Sequence, residues 1–166
     1  TALGDAFQLS NFLRDVREDI LELDRVYLPQ ETLREYDVTE EQLKRFEFDE
    51  RVEAVMRHEL RRAESLYKEG VAGIKYLPED CQFAVLLASV LYADHHRLIR
   101  NLGYDTVSTT PELSLARKLS LLVRTRWKWQ WTRDPEAVFY EMCRGFDASR
   151  DHREHGPHGP SVAQTD

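Results

Sequence analysis

Apolar and polar positions follow one another along most of the chain with the period of an α-helix. Between Asp49 and Ile74, for example, apolar residues recur every three or four positions, which places them on one face of a helix. We find no run with the strict two-residue alternation of a half-buried strand. The pattern therefore predicts an all-α protein.

Prolines, glycines and helix-capping residues divide this pattern into separate helices. The predicted helices cover residues 1–23, 31–36, 40–46, 49–74, 79–101, 111–131 and 135–143. From Gly145 the sequence is rich in Gly, Pro, His and charge and has little to bury, which predicts a disordered tail over 145–166. We expect one folded unit over 1–144, and because Thr1 already reads as helix interior, we expect it to begin inside a larger domain.

The first predicted helix contains an unusual polar face in the stretch "QLSNFLRDVRED". At about 100° per residue, Gln8, Asn11, Asp15 and Asp19 fall within an arc of about 80°, separate from the apolar stripe. Asp15 and Asp19 are one turn apart, about 6 Å along the axis, where like charges repel. Oxygen ligands suit Mg²⁺, which keeps several waters and bridges to phosphate. The residues alone leave two interpretations open: a Mg²⁺ site for a diphosphate, or an ordinary solvated surface.

Net charge, cysteine content and the length of the apolar runs argue against several classes of function. The formal net charge of -7 argues against a general nucleic-acid binder, which normally has a basic surface. Cys81 and Cys143 form no CxxC pattern and are expected to be free thiols in a reducing cytoplasm. The longest apolar run, Phe83 to Ala93, is too short to span a bilayer.

Two further stretches have more than one interpretation. The stretch "RTRWKWQW", Arg124 to Trp131, interleaves basic residues with tryptophan, which is typical of peripheral membrane contact but also of core packing with an exposed rim. Asp94, His95 and His96 could suggest a metal site, but adjacent side chains on a helix diverge by about 100°, so they are predicted to be polar surface or helix-end residues.

The segment from Phe7 to Pro29, "FQLSNFLRDVREDILELDRVYLP", resembles the second aspartate-rich motif of the squalene and phytoene synthase family. The family pattern Q-x-x-N-x-x-R-D-x-x-E-D, followed by Arg-x-Tyr-x-Pro, is matched here. The matching residues are Gln8, Asn11, Arg14, Asp15, Glu18, Asp19, Arg25, Tyr27 and Pro29. "YLPEDCQFAVLLASVLYADHHRLIRNLGYDTV" and "LARKLSLL" are similar to later family segments. The resemblance covers Gly4 to Trp131 and implies the C-terminal half of an all-α isoprenoid (terpenoid) synthase fold.

This resemblance implies a Mg²⁺-dependent prenyltransferase, with Mn²⁺ as a substitute ion, that joins two prenyl diphosphates head to head. The chain is most like a phytoene synthase, so the expected reaction converts two geranylgeranyl diphosphates to phytoene in carotenoid biosynthesis. The alternatives are squalene or dehydrosqualene formation from farnesyl diphosphate, and a non-catalytic family member that acts as an assembly protein.

The resemblance also implies roles for individual residues. Asp15 and Asp19 would be the catalytic metal ligands, together with Asn11. The residues implied to bind substrate are Gln8, Asn11, Arg25, Tyr27, Tyr92 and Arg117.

The chain departs from the family pattern in two respects. The family's first aspartate-rich motif is absent from the sequence, so we expect it in a missing N-terminal half and expect this chain alone to be inactive. Asp24 stands where the family commonly has glycine, which is expected to alter the turn before Arg25.

Overall fold

A computed structural model describes residues 1–144, and these residues form helices and loops without a strand. The absence of strands over 1–144 confirms the all-α prediction. The helices are α1 Ala2–Arg14, α2 Val16–Leu23, α3 Gln30–Glu35, α4 Glu40–Lys44, α5 Glu50–Ala72, α6 Glu79–Asn101, α7 Leu115–Thr132 and α8 Pro135–Met142, with a 3₁₀ turn at Ile74–Tyr76. The predicted tail over 145–166 lies outside the described residues.

The long helix α5 is the centre of the packing. Helix α1 lies along it, α6 contacts both, and α7 and α8 pack against α6 and against each other. Successive stretches of α5 enter two apolar clusters: Val52 to Ala63 pack with Leu13 and Leu33, while Tyr67 and Val71 pack in a second cluster. The second cluster also contains buried residues of α6, α7 and α8, so α5 joins both ends of the core.

The backbones of helices α1 and α5 come very close together at Gly70. A Cβ atom placed on Gly70 would lie 2.8 Å from the Cβ atom of Leu3 and 2.8 Å from its backbone nitrogen. Any side chain at this position would therefore push the two helix backbones apart. Glycine is required here for close packing rather than for an unusual backbone conformation.

Side-chain caps set several helix starts. Thr39 accepts a hydrogen bond from the backbone of Gln42 at 3.2 Å, and Asp134 accepts one from Ala137 at 3.1 Å, as expected from their positions before polar helix starts. The predicted start of the next-to-last helix at 111 was wrong. Ser114 caps α7 through the backbone N–H of Arg117 at 3.2 Å, so Pro111 and Leu113 belong to the preceding loop.

The single helix predicted over 1–23 is two helices that meet at Asp15. Asp15 has φ -99° and ψ 14°, outside the regular helical range, although its N–H still donates to Asn11 at 2.9 Å. After α2, Asp24 has φ 52°, the left-handed conformation that glycine adopts most easily. Aspartate is among the few other residues that tolerate it, so the turn before Arg25 forms without glycine.

A buried polar network connects α1, α5 and α6. The Ser10 hydroxyl lies 2.8 Å from Nε2 of His96 and 3.1 Å from the hydroxyl of Tyr67. On the other side of the ring, Nδ1 of His96 lies 3.5 Å from Glu64, which also pairs with Arg100. Burial raises the pKa of Glu64, but hydrogen bonding to His96 and the charge of Arg100 outweigh it and hold this pKa below its ordinary value.

Two smaller sequence predictions can be compared with this fold. Cys81 and Cys143 are both free thiols, as predicted. No helix within residues 1–144 combines the length and the apolar character needed to cross a bilayer.

We expect Gly70→Ala to lower the free energy of unfolding by about 1–3 kcal/mol, because the added methyl group overpacks the contact with α1. The measurement is chemical unfolding of the full-length protein that contains this chain. Gly4→Ala is the matched control, since its methyl group meets only the Thr1 hydroxyl, at 3.2 Å. Equal stability of the Gly70→Ala variant and the wild type would contradict the close approach.

The free energy of unfolding is also expected to decrease as the pH falls, because of the protonation of His96. Burial lowers the pKa of His96 below the ordinary value of 6.5, while Glu64 opposes the shift. As pH falls below about 6.5, the unfolded chain takes up a proton that the folded chain refuses, so the free energy of unfolding decreases until the lowered pKa is passed.

The check is to measure unfolding midpoints between about pH 7 and pH 5, the range in which an unfolded histidine titrates. His96→Gln should flatten the dependence on pH, because the titrating group is gone. His58→Gln is the control, since His58 is only partly buried and bonds to Tyr36 at 3.1 Å. An unchanged slope in His96→Gln would show that another group causes the effect.

Candidate active site

The acidic residues of the aspartate-rich segment 7–29 lie where α1 ends and α2 begins. Arg14 donates hydrogen bonds from Nε and Nη2 to the two carboxylate oxygens of Asp15, at 2.5 and 2.6 Å. This contact raises the pKa of Arg14, against the opposing effect of burial. Adjacent side chains diverge on a regular helix, and this paired contact coincides with the irregular backbone at Asp15.

Asp19 lies one turn beyond Asp15 in a crowded acidic environment. Its pKa is raised, first by partial burial and then by the negative charges of Asp15, Glu18 and Glu22. The repulsion that the spacing predicts is therefore present in the folded chain. A cation bound at this position would relieve it.

A cavity of about 310 Å³ opens beside this acidic group. Its walls include Arg14, Asp15 and Glu18 from the aspartate-rich segment, His95 from α6 and Lys118 from α7, with the loop over residues 110–113 closing one side. We call this the Asp15 cavity. It brings acidic and basic groups from three parts of the chain to one polar surface, which suits a ligand that carries phosphate and metal charge together.

His95 is a member of the Asp15 cavity that the sequence analysis missed. Its Nδ1 lies 3.1 Å from the carbonyl oxygen of Leu91, which can only accept, so the ring donates there and Nε2 is the acceptor in the neutral form. Burial and the nearby charge of Arg14 lower the pKa of His95. The prediction that Asp94, His95 and His96 are surface residues was wrong, because Asp94 and His96 are buried and His95 is partly buried.

Gln8 and Tyr27 line a different cavity from Asp15. This second cavity, of about 250 Å³, lies between α1, α5 and the segment after α2, and the ring of Tyr27 stacks on Phe12 with centroids 4.9 Å apart. Arg25 is exposed, and its backbone N–H donates to the carbonyl of Asp19 at 3.3 Å. The segment after α2 thus returns to the acidic group, although the side chain of Tyr27 is directed elsewhere.

Neither Tyr92 nor Arg117 lines the Asp15 cavity. The ring of Tyr92 stacks on Phe7 at 4.8 Å, which places it between α6 and α1. Arg117 donates two hydrogen bonds to Asp94, at 3.0 and 2.7 Å, and Arg97 donates two more to the same carboxylate. Burial raises the pKa of Asp94, but the bonds from Arg117 and Arg97 outweigh it and hold this pKa below its ordinary value.

Arg117 and Asp94 instead border a third cavity, of about 540 Å³, between α6, α7 and α8. Arg97, Arg100 and Arg124 also line it. Gln8 and Tyr27 thus line the second cavity and Arg117 the third, and no residue predicted to bind substrate is among the described residues that line the Asp15 cavity.

Comparison with known proteins shows the family of the chain. The family model for squalene/phytoene synthase matches residues 1–122. The chain belongs to the squalene/phytoene synthase family. A phytoene synthase from Thermus thermophilus is 39% identical over 120 residues, covering 72% of this chain and 41% of that protein. A 15-cis-phytoene synthase from Synechococcus elongatus is 36% identical over 121 residues, covering 73% of this chain and 39% of that protein.

The structural comparison agrees with the family assignment. The crystal structure of a dehydrosqualene synthase in complex with ligand has a TM-score of 0.67 and 29% identity, covering 78% of this chain and 45% of that chain. The likeness confirms that this squalene/phytoene synthase family member has the isoprenoid synthase helical fold. The chain spans about two-fifths of the length of the two curated relatives named above.

The oxygen atoms of Asn11, Asp15 and Asp19 are suitable ligands for a hard divalent cation, but they do not surround one completely. Oδ1 of Asn11 is buried and has no hydrogen-bond partner among residues 1–144, one turn from Asp15. Such an unpaired acceptor is what a cation or its water would satisfy. Within the same residues, no group of three or more His, Cys, Asp or Glu side chains is arranged to hold a metal by itself. Carboxylate and amide oxygens are ligands that hard divalent cations prefer.

Proposed function

We propose that the protein containing this chain is a prenyltransferase that condenses two molecules of geranylgeranyl diphosphate head to head, with loss of both diphosphate groups and of protons, to make phytoene in carotenoid biosynthesis. The observation that carries the proposal is the carboxylate of Asp15 in the wall of the Asp15 cavity, with Asp19 four residues further along the chain, in a chain of this family. The curated relatives described above are phytoene synthases, which supports phytoene as the product.

In this proposal Asp15, Asp19 and Asn11 hold Mg²⁺, for which Mn²⁺ can substitute. Bound Mg²⁺ would neutralise the negative charge that collects on the departing diphosphate. The raised pKa of Asp19 and the unpaired Oδ1 of Asn11 support this assignment, because both groups gain a favourable partner when a cation binds. Arg14 orients Asp15 through its paired hydrogen bonds.

The remaining site residues are assigned to the diphosphate. Arg25 lies beside Asp19 and is exposed, so its guanidinium can reach phosphate oxygens without breaking a buried contact. Gln8, Tyr27 and Tyr92 lie outside the Asp15 cavity, and we assign them to the diphosphate on the family resemblance, as donors to its oxygens or to bound water. Arg117 must share or leave Asp94 to bind diphosphate. A positive group directed at developing negative charge is among the strongest aids to such a reaction.

The aromatic side chains next to these polar groups have a separate role. Phe7 stacks on Tyr92, and Phe12 stacks on Tyr27, so apolar rings lie beside the proposed diphosphate contacts. An allylic cation is captured by water unless the cavity around it is dry. We assign these rings to shielding the prenyl chain from solvent.

The chain supplies only part of this active site. We propose that residues 1–144 are the C-terminal portion of the synthase domain and that the first aspartate-rich motif lies in an N-terminal half. Without that motif the chain alone is inactive. We also propose that the complete enzyme acts in the cytoplasm. The share of the relatives that this chain covers supports a missing portion of the domain.

A second candidate is squalene or dehydrosqualene formation from farnesyl diphosphate, and it is favoured by the likeness to a dehydrosqualene synthase. A non-catalytic assembly protein is less compatible with the acidic group. Asp15 and Asp19 repel each other, and a protein without a cation to bind gains nothing from keeping them.

The proposed reaction is tested with the full-length protein and radiolabelled prenyl diphosphates. With Mg²⁺ present, geranylgeranyl diphosphate should give phytoene, and chelation by EDTA should stop the reaction because diphosphate loss is no longer assisted. Farnesyl diphosphate is the control substrate. Conversion of farnesyl diphosphate alone would replace phytoene with the shorter product, and no turnover of either substrate would support the assembly protein.

The acidic group is tested by Asp15→Asn and Asp19→Asn in the same assay. Each should lower kcat by at least about a hundredfold, since a charged stabilising group is lost while the side-chain shape is kept. The matched control is Asp24→Asn, because Asp24 is exposed and asparagine tolerates its left-handed backbone. Circular dichroism should show that all three variants are folded, and normal turnover in Asp15→Asn or Asp19→Asn would remove that residue from the mechanism.

A further inference from the structure

The third cavity, between α6, α7 and α8, is lined by more cationic than anionic groups. Among the described residues that line it, the acids are Asp94 and Glu141. The basic residues are Arg97, Arg100, Arg117, Arg124 and Arg144. The whole chain has a formal net charge of -7, so the charge of this cavity is opposite in sign to that of the protein around it. A cavity lined by charges of one sign concentrates ligands of the other sign.

Helical spacing places four of these arginines in two rows. Arg97 and Arg100 are three residues apart on α6, where such residues are neighbours on one face. Arg117 and Arg124 are seven residues apart on α7, which rotates the second by only about 20° from the first and separates them by about 10 Å along the axis. The two helices therefore bring guanidinium groups to the cavity from two sides.

The neighbouring acids compensate only part of this charge. A single carboxylate, that of Asp94, pairs with both Arg97 and Arg117. Glu141 pairs with Lys128 at 2.7 Å, and Lys128 does not line the cavity, so this acid does not offset one of the five arginines. The surplus of positive charge is therefore present in the folded arrangement as well as in the sequence.

Arg124 and Arg144 contribute most of the uncompensated charge. Arg100 pairs with Glu64, but within residues 1–144 neither Arg124 nor Arg144 forms an ion pair. Both of these arginines are exposed, so their charged ends can reach a ligand without breaking a buried contact. Asp94 balances only one of its two arginines, and the cavity thus keeps a surplus that a multiply charged anion would neutralise.

The rest of the cavity wall includes apolar groups. Ala93, Met142 and Cys143 line the cavity and are 2%, 8% and 8% exposed. The cavity volume of about 540 Å³ lies within the range of about 300–1,000 Å³ that is typical of small-molecule sites, and a bare phosphate ion would fill only a small part of it. The wall therefore suits a ligand with one strongly anionic end and a compact apolar body.

We propose that the third cavity binds a phosphate monoester with a compact apolar group, at a site separate from the Asp15 cavity. A guanidinium fork matches two phosphate oxygens, and a phosphate monoester carries about two negative charges at neutral pH, whereas a carboxylate carries only one. The phosphate lies between Arg97 of α6 and Arg124 of α7. The apolar group rests on Met142 and Cys143.

The proposed site is distinct from the site of the proposed reaction. The third cavity and the Asp15 cavity have no lining residue in common. The family model matches residues 1–122, so Arg124 and the wall that α8 supplies lie outside the matched segment. Phosphate binding can be measured without turnover, and the two proposals can therefore fail separately.

The experiment is isothermal titration calorimetry of the full-length protein with phenyl phosphate, in EDTA so that no divalent cation recruits phosphate to the acidic group. We expect saturable binding, at least about tenfold weaker binding of inorganic phosphate and no binding of phenol, because each of these controls lacks one half of the ligand. Absence of phenyl phosphate binding would overturn the proposal. Equal binding of inorganic phosphate would also overturn it, because the apolar wall would then contribute nothing.

Single substitutions locate the bound phosphate. Arg97→Gln and Arg124→Gln should each weaken the binding of phenyl phosphate by about tenfold, since each removes a charged hydrogen-bond donor. Arg117 keeps Asp94 paired in the Arg97→Gln variant, so no buried acid is left alone. Arg34→Gln is the matched control, because Arg34 is exposed on α3 and does not line the cavity, and it should bind like the wild type.

Lys118→Gln distinguishes the two cavities. Lys118 lines the Asp15 cavity and not the third cavity, so this variant should bind phenyl phosphate like the wild type. Loss of binding in Lys118→Gln together with normal binding in Arg124→Gln would assign the phosphate to the Asp15 cavity and overturn the proposal.

Thermal unfolding of each variant completes the test. Arg124 is exposed and has no ion pair within residues 1–144, so Arg124→Gln should keep the melting temperature of the wild type. Weaker binding at an unchanged melting temperature would support the proposal. Equal losses of binding in Arg124→Gln and Arg34→Gln would indicate general attraction between charges and contradict it.

Discussion

The close contact of α1 with α5 at Gly70 determines where the acidic group can lie. Because Gly70 has no side chain, the backbone of α1 rests directly against α5 at Leu3. Further along α1, Ser10 bonds to Tyr67 of α5 and to His96 of α6, so the helix is held at two successive points. Asn11 follows immediately, and Asp15 lies one turn later at the end of the same helix. The geometry of the acidic group is therefore a consequence of packing rather than of the acidic residues themselves, which repel each other.

Charge compensation has a different form in each part of the molecule. In the buried network, Glu64 is balanced by Arg100 and His96, so its negative charge is stabilised inside the protein. At the acidic group, Asp15 has Arg14 as a partner, but Asp19 remains among like charges. Stability favours complete pairing, and an incompletely paired carboxylate at a cavity is typical of a functional site. This contrast distinguishes the candidate site from the structural ion pairs of the same chain.

Much of the fold could be predicted from periodicity, because helix faces and caps are local properties. The long helices α5 and α6 and the caps Thr39 and Asp134 follow directly from short stretches of sequence. The break at Asp15 could not be predicted in this way, since the helical period continues through it from 1 to 23. The burial of Asp94 could not be predicted for a related reason. Its burial depends on Arg117, a residue of another helix, and the residues between Asp94 and Arg117 do not indicate how α6 and α7 meet.

The residues of the candidate site, too, could be predicted from the sequence only where they are close together in it. The acidic positions Asp15 and Asp19 could be identified from a motif within one helix turn, whereas His95 and Lys118 join the Asp15 cavity from distant segments. Asp94 illustrates what such long-range pairing allows. Its carboxylate is held by two guanidinium groups at once, so if Arg117 turned toward a bound anion, Arg97 would still neutralise the buried acid. An exchange of partners by Arg117 would then leave no isolated charge in the interior. Because Asp94 accepts hydrogen bonds from two arginines, one of them can leave to bind an anion while the other keeps the carboxylate paired.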